Sequence, residues 1–154
     1  MSRQINQAGI DLICQYEGFK PNPYLDITGL PTIGFGVTKY QDGTPVTMQD
    51  PPIDQDTAIQ LLTDLLNNEY CPQVESVVTV NISDNAFAAL VSFTYNLGIQ
   101  SLKESTVLKC TNMKNWQDAS MAFSLWNKAR VGGELVVVQG LTNRRKAEAA
   151  LYLE

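Results

Sequence analysis

The stretch Glu17-Gly18-Phe19-Lys20-Pro21-Asn22-Pro23-Tyr24-Leu25-Asp26-Ile27-Thr28-Gly29-Leu30-Pro31-Thr32-Ile33-Gly34-Phe35-Gly36 decides how this chain folds. Just before it, Ile10, Ile13 and Glu17 fall at i, i+3 and i+7, with Leu12 and Tyr16 alongside, so residues 6–16 read as a helix. Gly18 supplies the stop. Beyond it the signals change. Thr28-Gly29 and Asp42-Gly43 are turn pairs, and residues 32–38 interleave β-branched and aromatic side chains with glycine. Residues 21–48 therefore predict a small antiparallel sheet of short strands. Gly34 and Gly36 serve either tight twisting or the close approach of a ligand to the backbone.

This places Glu17 in the last turn of a helix, at the negative end of the dipole, where the field and any burial both disfavour a carboxylate. Asp26 and Thr32 follow on a turn and a strand. Two carboxyl groups in unlike surroundings are what glycoside hydrolysis needs, one to give a proton and one to handle water or a covalent intermediate. Each residue also has a plain reading: a solvated helix end, a turn residue and a good strand former.

Working outward, Pro51-Pro52 closes the β-rich region and Asp54 is an N-cap, with Ile53 as a staple residue. A long helix follows through Ala58, Ile59, Leu61, Leu62, Leu65 and Leu66, and Pro72 is expected to end or kink it. Ser83 caps a helix through Phe87, Leu90, Val91 and Tyr95, stopped by Gly98. Trp116, Ala119, Phe123 and Trp126 repeat at helical spacing and are expected in the core. Residues 131–140 read as a turn and an extended piece, and Thr142 as the cap of a final helix. The expected fold class is α+β: one domain over 1–154, with an N-terminal helix and antiparallel β lobe (1–53), a connecting helix (54–78) and a helical lobe (79–154).

Composition removes several chemistries. The 154 residues, 44% hydrophobic, are enough for a core without staples. The chain has no histidine, which excludes Ser-His-Asp triads, Cys-His pairs and His-containing zinc sites. Three cysteines far apart read as buried free thiols, not a disulfide framework. No metal site and no cofactor are expected, which leaves Asp and Glu as the main catalytic groups, with Lys, Tyr and hydroxyls as helpers. A net charge of −5, with no basic stripe beyond Arg144-Arg145-Lys146, argues against a nucleic-acid partner. No apolar run reaches the length of a membrane span, and the first residues lack the apolar core of a signal peptide. The expected place of synthesis is a cytoplasm.

Against this background the chain resembles the phage-type lysozymes, glycoside hydrolase family 24. Its members carry Glu, eight residues, Asp, five residues, Thr, and Glu17, Asp26 and Thr32 match without a gap. Glu17-Gly-Phe, Pro23-Tyr24 and Thr32-Ile-Gly-Phe-Gly36 match too, as do Ser92-Phe-Thr-Tyr-Asn96-Leu-Gly98 and Gly140-Leu-Thr-Asn-Arg-Arg145 with Glu148. The resemblance implies a cleft between the lobes and cleavage of the β-1,4 bond between N-acetylmuramic acid and N-acetylglucosamine in peptidoglycan, in one inverting step. It implies Glu17 as general acid, Asp26 as base or electrostatic partner, and Thr32 as the residue that positions water.

Tyr95 and Asn96 match positions near the cleft, as glycan contacts or as helix packing and a C-terminal cap. Arg144 and Arg145 match as partners for muramyl carboxylates or peptide stems, or as salt bridges inside the helical lobe, Arg144 with Glu148 for example. Many relatives carry histidine where this chain has Val37. The resemblance also implies a monomer that gathers in the host bacterial cytoplasm, inserts in no membrane, and depends on a holin to reach the wall. A non-catalytic or virion-associated peptidoglycan-binding protein and a lytic transglycosylase are the alternatives. The intact Glu17, Asp26 and Thr32 weigh against both.

Overall fold

A computed structural model describes residues 3–154. It opens with α1 (Gln7–Glu17), whose first turn is capped by the Asn6 side chain accepting from the Gly9 N–H. Gly18 ends the helix at φ 75°, donating its N–H to the Cys14 carbonyl. A short antiparallel sheet follows, β1 (Lys20–Leu25) and β2 (Pro31–Gly34), with Tyr24 opposite Thr32. Isolated bridges at Ile33–Val37 and Lys39–Pro45 extend the β region. Its own small core is Ile33, Val37, Val46 and Leu61. Val37 is 1% exposed among these apolar neighbours.

The connecting helix starts as α2 (Gln55–Leu65), capped by Asp54, as its sequence predicts. Pro72 does not end it. The backbone widens to a π turn at Leu66–Tyr70, where the Cys71 N–H reaches back to the Leu66 carbonyl, and α3 (Cys71–Val77) continues. A proline ring clashes with the carbonyl four residues back and offers no N–H; widening the turn just before Pro72 gives that carbonyl room.

The helical body is α4 (Asp84–Leu97), α5 (Ile99–Glu104), α6 (Thr106–Asn112), α7 (Trp116–Ala122) and α8 (Gln139–Leu153). Ser83 caps α4 and Gly98 stops it, again as expected. α4 is buried along most of its length and α1 lies on it closely, because a Cβ on Gly9 would stand 2.7 Å from the Ala88 Cβ. Three expectations change here. Trp116 is 37% exposed, because α7 turns Ala119 inward instead, and the helix tightens into a 3-10 turn at Phe123–Leu125 before Trp126. The extended piece is a second antiparallel pair, β3 (Lys128–Val131) and β4 (Glu134–Val137), turning at two glycines. Thr142 is no cap. α8 begins three residues earlier, straight out of β4, and Thr142 lies inside its first turn, donating its N–H to the Val138 carbonyl.

The architecture is therefore the α+β arrangement expected: a small β region against the connecting helix, and a larger helical body. No helix among the described residues is long and apolar enough to cross a membrane.

Candidate active site

The C-terminal turn of α1 meets the N-terminal part of α8. Arg144 on α8 donates from Nη1 to Oε2 of Glu17 at 2.7 Å. The Glu17 side chain keeps 23% of its surface exposed, while that of Arg144 keeps 4%. The structure thus sets a cation in direct contact with the Glu17 carboxylate, a partner that the sequence did not show. A cation fixed by packing also fixes the carboxylate's direction.

Oε1 of Glu17 faces Gly36. A Cβ built there would stand 3.4 Å from Oε1 and 3.2 Å from the Tyr95 hydroxyl, and φ is +93°. Gly36 thus serves close approach. Tyr95, near the end of α4, donates its hydroxyl to the Phe35 carbonyl at 3.0 Å and packs edge-on against Tyr70 of the π turn. These contacts bind the helical body to the β region beside Glu17.

Asp26 stands at the surface on the turn between β1 and β2. Its Oδ1 accepts three hydrogen bonds: from the Thr28 hydroxyl at 2.6 Å, the Thr28 N–H at 2.8 Å and the Leu30 N–H at 3.0 Å. The Thr28 hydroxyl first, and the Leu30 amide second, hold its carboxyl below the ordinary range. Leu30 also accepts from the Thr32 hydroxyl at 2.8 Å, so one residue ties Asp26 to Thr32. With its proton committed to Leu30 and only 2% of the residue exposed, Thr32 offers a neighbour lone pairs alone.

Tyr24 lies opposite Thr32 in the sheet. Burial, then Glu17, then Asp26 raise its hydroxyl above the ordinary value, so this ring stands within the field of both carboxylates. Lys20 lies over its face, 4.3 Å from the centroid. Tyr70 is raised by burial first, with Glu69 and Glu17 adding. Sequence reasoning passed over Tyr24 and Tyr70 as members of the site. For Tyr24 the signal was its place two residues before Asp26 on a strand; for Tyr70 there was none.

For the remaining candidates the structure shows the contacts within the protein that the sequence left open. Arg145 is 1% exposed, with its Nε 2.7 Å from Oε1 of Glu148 and its Nη2 donating to Oδ1 of Asn96 at 2.8 Å. Its guanidinium also lies over Phe93, 5.2 Å from the ring centroid. Enclosed in this way, Arg145 has no free face for a muramyl carboxylate, and Asn96 spends its carbonyl on Arg145. Arg144 also contacts Glu148, at 3.4 Å, the i, i+4 pairing weighed from sequence. Glu148 itself is 0% exposed and accepts from the Ser92 hydroxyl at 2.5 Å. The Tyr95 hydroxyl, the Asn96 carbonyl and the guanidinium groups of Arg144 and Arg145 are thus engaged within the protein, and Arg144 reaches the site through Glu17.

Among the described residues no group of three or more His, Cys, Asp or Glu is placed to hold a metal ion. The Cys14 and Cys71 thiols are pushed by burial up to about 11, the opposite of what a thiolate nucleophile needs. The chemistry within reach is proton transfer between carboxyl groups, water and a bound ligand.

Comparison with known proteins points the same way. The family model described as Phage lysozyme matches residues 14–148. The endolysin of Salmonella phage P22 is 35% identical over 150 residues, covering 97% of this chain and 98% of that protein. The endolysin of Bacillus phage B103 is 38% identical over 152 residues, but the chain spans only 54% of its length. Among solved structures, an endolysin from Escherichia coli O157:H7 phage FAHEc1 superposes with a TM-score of 0.88 at 38% identity, covering 99% of this chain and 94% of that one.

Proposed function

Because the chain belongs to the phage lysozyme family, we propose that it is a peptidoglycan hydrolase that cleaves the β-1,4 bond between N-acetylmuramic acid and N-acetylglucosamine during host lysis. One observation carries the mechanism: Glu17 and Asp26 are held by different kinds of partner, one by a guanidinium and the other by hydroxyl and amide donors. Glu17 is held by a packed arginine, whereas Asp26 is kept ionised by three donors on one oxygen. Two carboxyl groups in unlike surroundings can take separate roles in one reaction.

In the proposed step Glu17 gives its proton to the bridging oxygen as the bond from the sugar's C1 to that oxygen breaks. A water attacks C1 from the opposite face and passes a proton to Asp26. Since the Thr32 hydroxyl donates to Leu30, it serves that water as an acceptor, so the water donates to both Thr32 and Asp26 and turns a lone pair toward C1. Arg144 aims Glu17 and stabilises it once it has become an anion. The new reducing end has inverted configuration, the protons return through solvent, and no cofactor enters the balance.

In this reading Tyr95, Asn96 and Arg145 support the site and do not touch glycan. The protein acts as a monomer, collects in the host cytoplasm and reaches the wall through a holin. Mass spectrometry of digested peptidoglycan, with proton NMR of the freshly released anomers, tests the reaction. Products carrying one added water and inverted reducing ends support it; 1,6-anhydro-muramyl ends would establish a transglycosylase in its place.

A further inference from the structure

Asp26 carries an asymmetry that its role as base does not by itself require. All three of its hydrogen bonds go to Oδ1, and among the described residues Oδ2 accepts none. The terminal torsion of an aspartate is broad and roughly two-fold, so packing and hydrogen bonds must choose which oxygen faces where. Two of the donors are backbone amides that almost any sequence would supply. The third and shortest, at 2.6 Å, is the Thr28 hydroxyl, which only a hydroxyl side chain at this position provides.

We propose that Thr28 is a positioning residue for hydrolysis: its hydroxyl pins Oδ1 of Asp26 to the turn, so that Oδ2 is the oxygen presented to the attacking water. The inference rests on the reading of Asp26 as the base. With Thr28 in place the carboxylate cannot rotate without breaking three bonds, and the water meets an acceptor of fixed direction. The same hydroxyl keeps the group charged into acid. The titratable side chain nearest in the fold to bear on Asp26 is Tyr24 of β1, with Lys20 over its ring. Neither of these changes when Thr28 is replaced.

The test compares Thr28→Val, Thr28→Ser and Asp26→Asn, reading kcat and KM for reducing-end release from solubilised peptidoglycan across about pH 3 to about pH 8. Thr28→Val should lower kcat by about five- to tenfold, with KM within about twofold. It should also move the acid limb of kcat upward, toward the ordinary carboxylate value, and Thr28→Ser should restore both. Thr28→Ala gives the same readout with less bulk if valine disturbs the turn, and thermal melts confirm that each variant is folded.

Wild-type kcat and acid limb in Thr28→Val would overturn the proposal. So would a serine variant as impaired as the valine one, since the hydroxyl would then be irrelevant. Asp26→Asn separates the two levels. If it turns over like wild type, the reading of Asp26 fails; if it is dead while Thr28→Val is normal, that reading stands and the role of Thr28 falls.

Discussion

Replacing Glu148 by Gln keeps the shape and one acceptor of a side chain that is 0% exposed, and removes its charge. Arg145, 1% exposed, has no other carboxylate partner among the described residues, whereas Arg144 retains Glu17. Removing one member of a buried ion pair costs about 3–5 kcal/mol, because the partner is left charged without solvent. The amide oxygen that remains, and the second partner of Arg144, bring the expectation to the lower end, about 3 kcal/mol. For a chain of this size each kcal/mol lowers Tm by about 2–4 °C, so the drop should be about 6–12 °C.

Arg3–Asp84 is the control: an ion pair of similar length, 2.8 Å, with side chains 31% and 79% exposed. Solvent screens it, and Asp84→Asn should cost about 0.5 kcal/mol. Urea melts of both variants beside wild type, compared at unchanged m-value, provide the assay. If Glu148→Gln loses less than about 1 kcal/mol, or no more than Asp84→Asn, then burial is not what gives the Arg144–Glu148–Arg145 cluster its weight, and the argument fails.

Gly36→Ala should cost about 1–2 kcal/mol from its positive φ, and more than Gly29→Ala, whose Cβ would meet open space. It should also reduce turnover, because the added carbon would crowd Tyr95 and Glu17. Equal stability and equal activity for the two alanine variants would contradict the close approach at Gly36. Acid should destabilise the fold in a defined window. Asp26, Asp42, Asp50 and Asp54 all have carboxyls lowered chiefly by threonine donors. A folded-state pKa below the unfolded one gives stability that is complete above the unfolded value and is lost as pH falls through the folded value. Tm should therefore be flat from neutrality to about pH 5 and decline below about pH 4; a Tm that holds to about pH 2 would contradict it.

What could be read from sequence was what short-range chemistry fixes. The Asp54 and Ser83 caps and the Gly18 and Gly98 stops each depend on atoms within a few residues, and each is found. The three candidate catalytic residues lie in one short stretch whose spacing is common by chance, and it was the resemblance to a family, not the spacing, that singled them out. Trp116 was misplaced because helical period identifies a face without saying where the helix begins, and Trp116 is the first residue of α7. Pro72 was expected to end or kink the helix, and which of the two could not be read because the widened turn that accommodates it has no sequence signature. The function of Arg144 was invisible for a different reason. Its partner Glu17 is 127 positions away, and only the packing of α1 and α8 on α4 brings them together. The i, i+4 partner Glu148 was the one that local spacing could suggest.

The central claim is that Glu17 drives cleavage of the glycan, and turbidity loss of outer-membrane-permeabilised Gram-negative cells tests it most directly, with wild type and Glu17→Gln run together at low and moderate salt. The account predicts clearing by wild type and none by Glu17→Gln, with both proteins folded. Equal clearing by the two would contradict it; no clearing by either would indicate a domain that binds the wall without cutting it.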